Sequence, residues 1–462
     1  VTALNTLIDS FVNLVWGVPM LVLLVGGGVL FTIYGRLHPF RYFSHSLALL
    51  SGRFDRDEDD GELSHRQALS SALAGTLGLG NVAGVALAIT AGGPGAIFWM
   101  WVTALLGIST KFFTCTLGVM YRGRDSLGQL QGGPMYIVQE GLGEKWKPLA
   151  ILFAVAGVFG TIPAFQANQL TAVVRTQVLP QEWVSEALVF NLAFGLMMAL
   201  FVGMVIWGGI QRVAGFAVRL VPGMAVVYLM MTIVVLSNHL EQIPSYLWLI
   251  VHDAWQTDAV AGGMLGVIIV GVSRGAFSNE AGIGTEVMAH GAARTNEPVR
   301  EGLVGSLGPV IDTLIVCSCT AIVIIASGVW QHTDSMQGVQ LTMKAFGQEL
   351  GVTGQVLLGL QIMVLSLTTI FTYWYYGSKC FSYLLGAERS VHYRYFYLLM
   401  VIVGAVLSLE LVFNFLIGMY GLMAIPTMVA TLLLAPRVKE AAADYFQRLR
   451  SADNKTSKTP GE

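Results

Sequence analysis

The stretch "ALAGTLGLGNVAGVALAIT", Ala72 to Thr90, is apolar enough to sit in a membrane, yet glycines at 75, 78, 80 and 84 and Asn81 interrupt it. Glycine accepts positive φ and lets other groups approach the backbone, so this run is expected to unwind near its middle. An unwound turn in hydrocarbon leaves amides and carbonyls that each cost several kcal/mol unless protein, water or a ligand satisfies them. A break therefore suits binding: a half-helix N-terminus favours a carboxylate, and freed carbonyls favour a cation. The plainer reading is packing, because Gly80 and Gly84 also form a GxxxG pair of the kind that lines helix contacts. A dinucleotide loop is disfavoured by the order GxxGxG and by the lack of a strand-helix-strand unit around it.

The surrounding composition places the run in a polytopic, all-α membrane protein. The 462 residues are 55% hydrophobic and 12% charged, against about 25% charged in ordinary soluble domains. Net charge is -2, and the 26 Lys and Arg are scattered over short loops, which argues against a nucleic-acid partner. Cys115, Cys317, Cys319 and Cys380 all fall in apolar runs and read as core thiols.

Eleven spans are expected, at 14–34, 67–90, 95–120, 148–178, 187–208, 220–237, 259–290, 303–327, 352–384, 396–414 and 417–435. Nearly all the loop Lys and Arg then fall on one side, which sets the N-terminus outside and the C-terminus in the cytoplasm. No cleavable leader pattern precedes Leu14, so the first run is expected to remain as an anchor. After Pro436, "RVKEAAADYFQRLR" reads as an amphipathic surface helix and "SADNKTSKTPGE" as disordered.

With residues 1–66 set aside as an N-terminal helix and cytoplasmic linker, ten spans divide into five over 67–258 and five over 259–435, leaving 436–462 as a tail. The first helix of the second half is also abnormal: "RGAFSNEAGIGTE", Arg274 to Glu286, sets Ser278, Asn279 and Glu280 among glycines at membrane depth. Glycine-interrupted segments at corresponding positions of two halves point to the binding site of a secondary transporter, and an odd number of spans per half makes the repeats inverted.

These residues resemble the alanine or glycine:cation symporters, also called the sodium:alanine symporter family. The resemblance runs from about Gln67 to Pro426 and rests on "GTLGLGNVAGVA", "GGPGAIFWMWVTALLGISTKF", "GGPMYIVQEGLG", "FQAN", "RGAFSNEAGIGTEVMAHGAA", "IDT", "TTIFTYWYYG" and "GLMAIP". The string "GLGN" is also similar to the broken first helix of neurotransmitter:sodium symporters, whose ten-helix inverted-repeat fold the family shares. The resemblance implies uptake of small neutral amino acids, chiefly alanine or glycine, with sodium as cargo and no further cofactor. By the same resemblance Gly78, Leu79, Gly80, Asn81, Phe165, Gln166, Ser278, Asn279 and Tyr373 would line the substrate site. Sodium would be held by the carbonyls of Ala74, Leu77 and Leu365 and the hydroxyls of Thr368 and Thr369. Residues 365, 368 and 369 share one helical face, and hard oxygens without a carboxylate suit a monovalent ion. Three positions depart from the family pattern: threonine is expected where Leu79 stands, tryptophan at Tyr373 and glutamate at Thr114.

Each ionisable group within a span is a candidate for function or gating. Lys111 lacks its expected acid at 114, Asp312 suits either the ion site or support of the second break, and Glu280 is read as satisfying amides freed at that break. Arg274 is expected in a gate ion pair, Glu410 lies on the penultimate expected span, and His290 marks a helix end. A proton-coupled carrier using Asp312, Glu280 or His290 is the nearest alternative. A membrane enzyme would need paired catalytic carboxylates or an HExxH motif, and a channel would need a polar stripe along several spans.

Overall fold

A computed structural model describes residues 2–54, 58–178, 186–256, 263–331 and 338–456. The chain is almost entirely helical, with one short hairpin, β1 (Gly123–Arg124) paired with β2 (Leu130–Gln131). Two helices at the N-terminus, α1 (Thr2–Val15) and α2 (Val18–Tyr34), meet at a 43° bend. The first interrupted segment follows as α3 (His65–Thr76) and α4 (Gly80–Gly92), bent by 48°. A capping box starts α3: Ser64 Oγ accepts from Gln67 N and Gln67 Oε1 accepts from Ser64 N.

Uninterrupted apolar runs continue as long helices: α5 (Gly95–Met120), α6 (Lys147–Gly160) with α7 (Ala164–Val173), α8 (Ala187–Ile206) and α9 (Gly209–Ser237). The second interrupted segment is α10 (Met264–Asn279) and α11 (Glu286–His290), followed by α12 (Pro298–Ala326), α13 (Val339–Leu385), α14 (Ser390–Val406) and α15 (Leu409–Thr456). Gly351 (φ 63°) kinks α13, so its membrane portion begins beyond that residue, as expected for 352–384.

Among the described residues, seven helices are long and apolar enough to cross a membrane, or nine if each bent pair is one span. Two expected spans fall short by length. The α10 helix has 16 residues because the chain leaves it at Glu280, and α14 has 17, with Arg394 in its early turns. The start of the seventh expected span at 259 and the polar end beyond 456 lie outside the described residues.

The last two spans were expected at 396–414 and 417–435, but the break between them falls earlier, at Leu407, whose backbone is extended (φ -68°, ψ 161°). An asparagine on α7 favours that stop: Asn168 Nδ2 donates to Leu407 O (2.6 Å) and Gly404 O (3.2 Å), occupying carbonyls at the end of α14. Glu410 therefore sits in the first turn of α15, where the helix dipole favours a negative charge, rather than on the penultimate helix.

The tail also differs from expectation. The α15 helix passes through Pro436 and reaches Thr456, so residues 451–456 are helical. Its apolar face turns onto the protein instead of a membrane surface. Phe446 stacks on Tyr42 (4.0 Å between centroids), Tyr445 Oη meets His45 Nε2 (2.8 Å), and Arg448 grips both oxygens of Glu297 at 2.7 and 3.0 Å.

Candidate functional site

At the first break Leu77 leaves helical geometry (ψ 74°) and the chain re-enters through a π-helical turn, Gly80–Gly84. Asn81 closes the gap by accepting from Gly78 N with its side chain (3.0 Å). Threonines on other helices take carbonyls on either side of the break. Thr369 Oγ1 donates to Ala74 O (3.0 Å), Thr320 Oγ1 to Asn81 O (2.7 Å) and Thr342 Oγ1 to Val82 O (2.9 Å). A Cβ on Gly80 or Gly84 would lie 3.5 to 3.6 Å from Phe277, so these glycines also form a packing face, as the GxxxG reading has it. Gly78 is tighter: a Cβ there would fall 2.4 Å from Thr369 Oγ1. Gly78→Ala is therefore expected to push α3 from α13 and cut uptake about tenfold or more, measured with labelled alanine at matched membrane levels; unchanged uptake would contradict this.

The second break has a different cause. Glu280 adopts the left-handed region (φ 56°), followed by Gly282 (φ 83°) and Gly284 (φ 97°), so three positive-φ residues turn the chain before α11. A non-glycine residue held there requires support from its surroundings. Tyr373 Oη (2.6 Å) and Tyr420 Oη (3.1 Å) donate to Glu280 Oε1, and Thr285 Oγ1 donates to Oε2. The Glu280 carboxylate is thus satisfied by hydroxyls rather than by freed amides. Tyr373, expected against substrate, spends its hydroxyl on that support.

Asp312 joins the two breaks. It lies on a π-helical stretch of α12, Val310–Cys317, where the widened turn departs from the α ladder. Its Oδ1 accepts from Asn81 Nδ2 (2.6 Å), and its Oδ2 accepts from Ser278 Oγ (2.7 Å) and Thr313 Oγ1 (2.7 Å). Asn279 is anchored nearby, donating from Nδ2 to Thr313 Oγ1 (3.1 Å) and accepting from Ala281 N (3.0 Å). Of the two roles open to Asp312, support of the second break is observed, and it extends to the first. Lys111 is buried on α5 within electrostatic reach of Glu280, Glu286 and Asp312. The acid expected at 114 is replaced by one across the helix contact: Thr114 Oγ1 meets Glu286 Oε1 (3.4 Å).

An aromatic wall stands over this network. Phe277 packs against Phe165 (5.5 Å), Phe413 (5.1 Å) and Tyr420 (5.6 Å). The Arg274 guanidinium lies on Phe413, 4.2 Å from the ring centre, and no carboxylate among the described residues forms an ion pair with it, contrary to the expected gate pair. Beside Phe165, Gln166 is buried and its Oε1 has no donor among the described residues. The string "GVSRG", Gly271 to Gly275, has the spacing of a nucleophile elbow, but it lies within the continuous helix α10, and Ser273 Oγ donates to Val270 O (3.0 Å). It lacks the strand-to-helix turn that exposes such a serine.

Of the oxygens expected for sodium, Ala74 O, Leu365 O and Thr369 Oγ1 meet, while the Thr368 hydroxyl bonds back along its own helix to Val364 O and Leu365 O. Thr369 Oγ1 lies 3.0 Å from both Ala74 O and Leu365 O, and Thr368 Oγ1 lies 3.0 Å from Leu365 O. Leu77 and Leu365 border a small cavity of about 10 Å³, room for one water, with Gly78, Asn81, Tyr228 and Gln361. Of the nine expected substrate residues only Gly78 and Asn81 line it; Leu79, Gly80, Phe165, Gln166, Ser278, Asn279 and Tyr373 do not. Leu77, Val221 and Ala225 are shared with a second space of about 390 Å³ that reaches Ser51 and Arg66.

Sequence reasoning missed one buried cluster. Glu301 bridges His65 Nδ1 and His290 Nδ1, each at 2.5 Å, joining the start of α3 to the end of α11. Glu301 and His65 were placed in loops by the expected boundaries, so neither counted as a buried charge; His290, correctly expected at a helix end, was the available signal.

Two discontinuous helices joined by a buried carboxylate, within a many-helix apolar scaffold, define a multi-pass membrane transporter rather than an enzyme. The chain matches the sodium:alanine symporter family over residues 1–459, and it belongs to that family. It is 36% identical to "Sodium/alanine symporter AgcS" of Methanococcus maripaludis, over 98% of this chain and 99% of that one. It is 32% identical to "Probable sodium/glutamine symporter GlnT" of Bacillus subtilis, covering 95% and 90% respectively. The fold is similar to that of MhsT, solved in complex with L-phenylalanine, with a TM-score of 0.59 and 11% identity over 83% of this chain and 98% of that one.

Proposed function

We propose that this chain takes up small neutral amino acids, alanine and glycine foremost, with sodium, by alternating access through eleven spans in a five-plus-five inverted repeat. The N-terminus lies outside and the tail in the cytoplasm of a bacterial or archaeal plasma membrane. The observation that carries the reading is the bond network from Asn81 through Asp312 to Ser278, beside the oxygen cluster at Thr369. Substrate carboxylate meets the first break, Gln166 offers its unpaired oxygen to the amino group, and sodium binds among Ala74, Leu77, Leu365, Thr368 and Thr369. The relatives named for alanine and for glutamine support a neutral substrate.

Ligand moves the carrier only through unequal affinity for its states. One sodium entering down about 100 mV contributes about 2.3 kcal/mol, and a tenfold sodium gradient adds about 1.4 kcal/mol. Together they support a substrate gradient of several hundredfold.

A proton-coupled carrier is the second reading, favoured by the buried His65–Glu301–His290 cluster. In proteoliposomes, an inward sodium gradient without a pH gradient is expected to drive labelled alanine accumulation. Accumulation driven by a pH gradient alone, with none from sodium, would replace this proposal with the second reading.

A further inference from the structure

Away from both breaks, a space of about 200 Å³ opens between β2, the last turns of α13 and the start of α14. Its two cations, Lys379 and Arg394, share the space with one lining carboxylate, Asp125, and Lys379 is also within electrostatic reach of Glu62. Arg394 lies between two indoles, 5.5 Å from the Trp207 ring centre and 5.8 Å from that of Trp374, and pairs with no carboxylate among the described residues. Lys379 donates to Gln131 Oε1 and lies 5.0 Å from the centre of the Tyr375 ring.

The lining carboxylate is already engaged. Asp125 accepts from the amides of Leu127 and Gln129 (3.0 Å each) and from Gln131 Nε2 (2.7 Å), which turns the other end of Gln131 toward Lys379. At the rim, Glu388 accepts from Ser126 Oγ (2.9 Å). The buried Trp374 lines the space, and its Nε1–H has no acceptor among the described residues. Ser382 supplies a further wall, and Ser390 opens α14, whose positive dipole end adds to the two cations.

We infer that this cavity binds a phosphate group, and that the headgroup of an anionic membrane lipid supplies it. Arginine and lysine with an indole N–H and serine hydroxyls are donors matched to phosphate oxygens. Two observations favour lipid as the source. Trp207 (52% exposed) and Tyr395 (60% exposed) stand on the outer surface beside Arg394, as interfacial aromatics do, and basic pockets between spanning helices suit lipid headgroups.

The test is native mass spectrometry of the full chain with added phosphatidylglycerol, phosphatidylcholine or inorganic phosphate. Phosphatidylglycerol is expected to bind in preference to phosphatidylcholine, and Arg394→Gln to weaken that binding about tenfold. Ser382→Asp keeps Arg394 but places a carboxylate in the cavity, and is expected to remove the preference as well. Equal phosphatidylglycerol binding by wild type and both variants would overturn the site. Phosphate binding that depends on Arg394, without any preference for phosphatidylglycerol, would overturn the lipid as its source.

Discussion

Asp312→Ala is expected to abolish amino-acid uptake while leaving the protein in the membrane. The carboxylate accepts from Asn81, Ser278 and Thr313, and these donors come from the first break, the second break and α12 itself. Leaving a buried donor without an acceptor costs about 1 to 3 kcal/mol. Thr313 loses its acceptor outright, while Asn81 and Ser278 fall back on the longer contacts to Asp312 O (3.2 Å) and Cys317 Sγ (3.1 Å), a loss comparable to the few kcal/mol by which the states of a carrier differ. The damage also falls on geometry, since Asn81 holds the Gly78 amide with its other end. Asp312→Asn keeps one acceptor oxygen and is expected to retain partial transport. The measurement is labelled alanine uptake at matched surface expression; Asp312→Ala with near wild-type uptake would mean that the two breaks do not depend on this link.

Both interrupted helices were legible in the sequence as glycine clusters at membrane depth, for different reasons: positive φ at Gly282 and Gly284 in the second, and close approach without any positive-φ glycine, as of Gly78 to Thr369, in the first. The Thr368, Thr369 and Leu365 group was legible through helical spacing once the family resemblance had pointed to it. What supports these elements was not. Thr320 and Thr342 hold carbonyls of Asn81 and Val82 from more than 200 positions away, and threonine within an apolar run carries no mark of such a role. Tyr373 and Tyr420 converge on Glu280 from α13 and α15, a contact that depends on how helices pack rather than on any local pattern.

The boundary errors have the same origin. Residues 396–435 read as two apolar runs, and hydropathy alone sets no stop at Leu407, which Asn168 helps to fix from another helix. The tail showed a true amphipathic pattern, but periodicity does not say whether the apolar face meets lipid or the protein's own Tyr42 and His45. Arg274 was expected to seek a carboxylate and instead spreads over Phe413, an interaction open to its flat guanidinium.

Thr369→Ala is expected to weaken sodium dependence more than it weakens transport itself. The hydroxyl lies 3.0 Å from the carbonyls of both Ala74 and Leu365, so it draws the lower half of the first broken helix to α13. Without a cation its proton serves one carbonyl at a time; with sodium bound at the proposed site, the hydroxyl and both carbonyls would turn their lone pairs to a common centre. If Thr369 is a sodium ligand as proposed, removing an oxygen worth about 1 to 2 kcal/mol should raise the half-saturating sodium concentration roughly five- to thirtyfold. Coupling is reciprocal, so any change in sodium's effect on amino-acid affinity should appear equally in the amino acid's effect on sodium affinity. Thr369→Ser restores the oxygen and should restore the sodium response, while Thr369→Val keeps the shape without it. Wild-type sodium dependence in Thr369→Val would place the ion elsewhere, because a near-isosteric side chain would then have replaced a ligand at no cost.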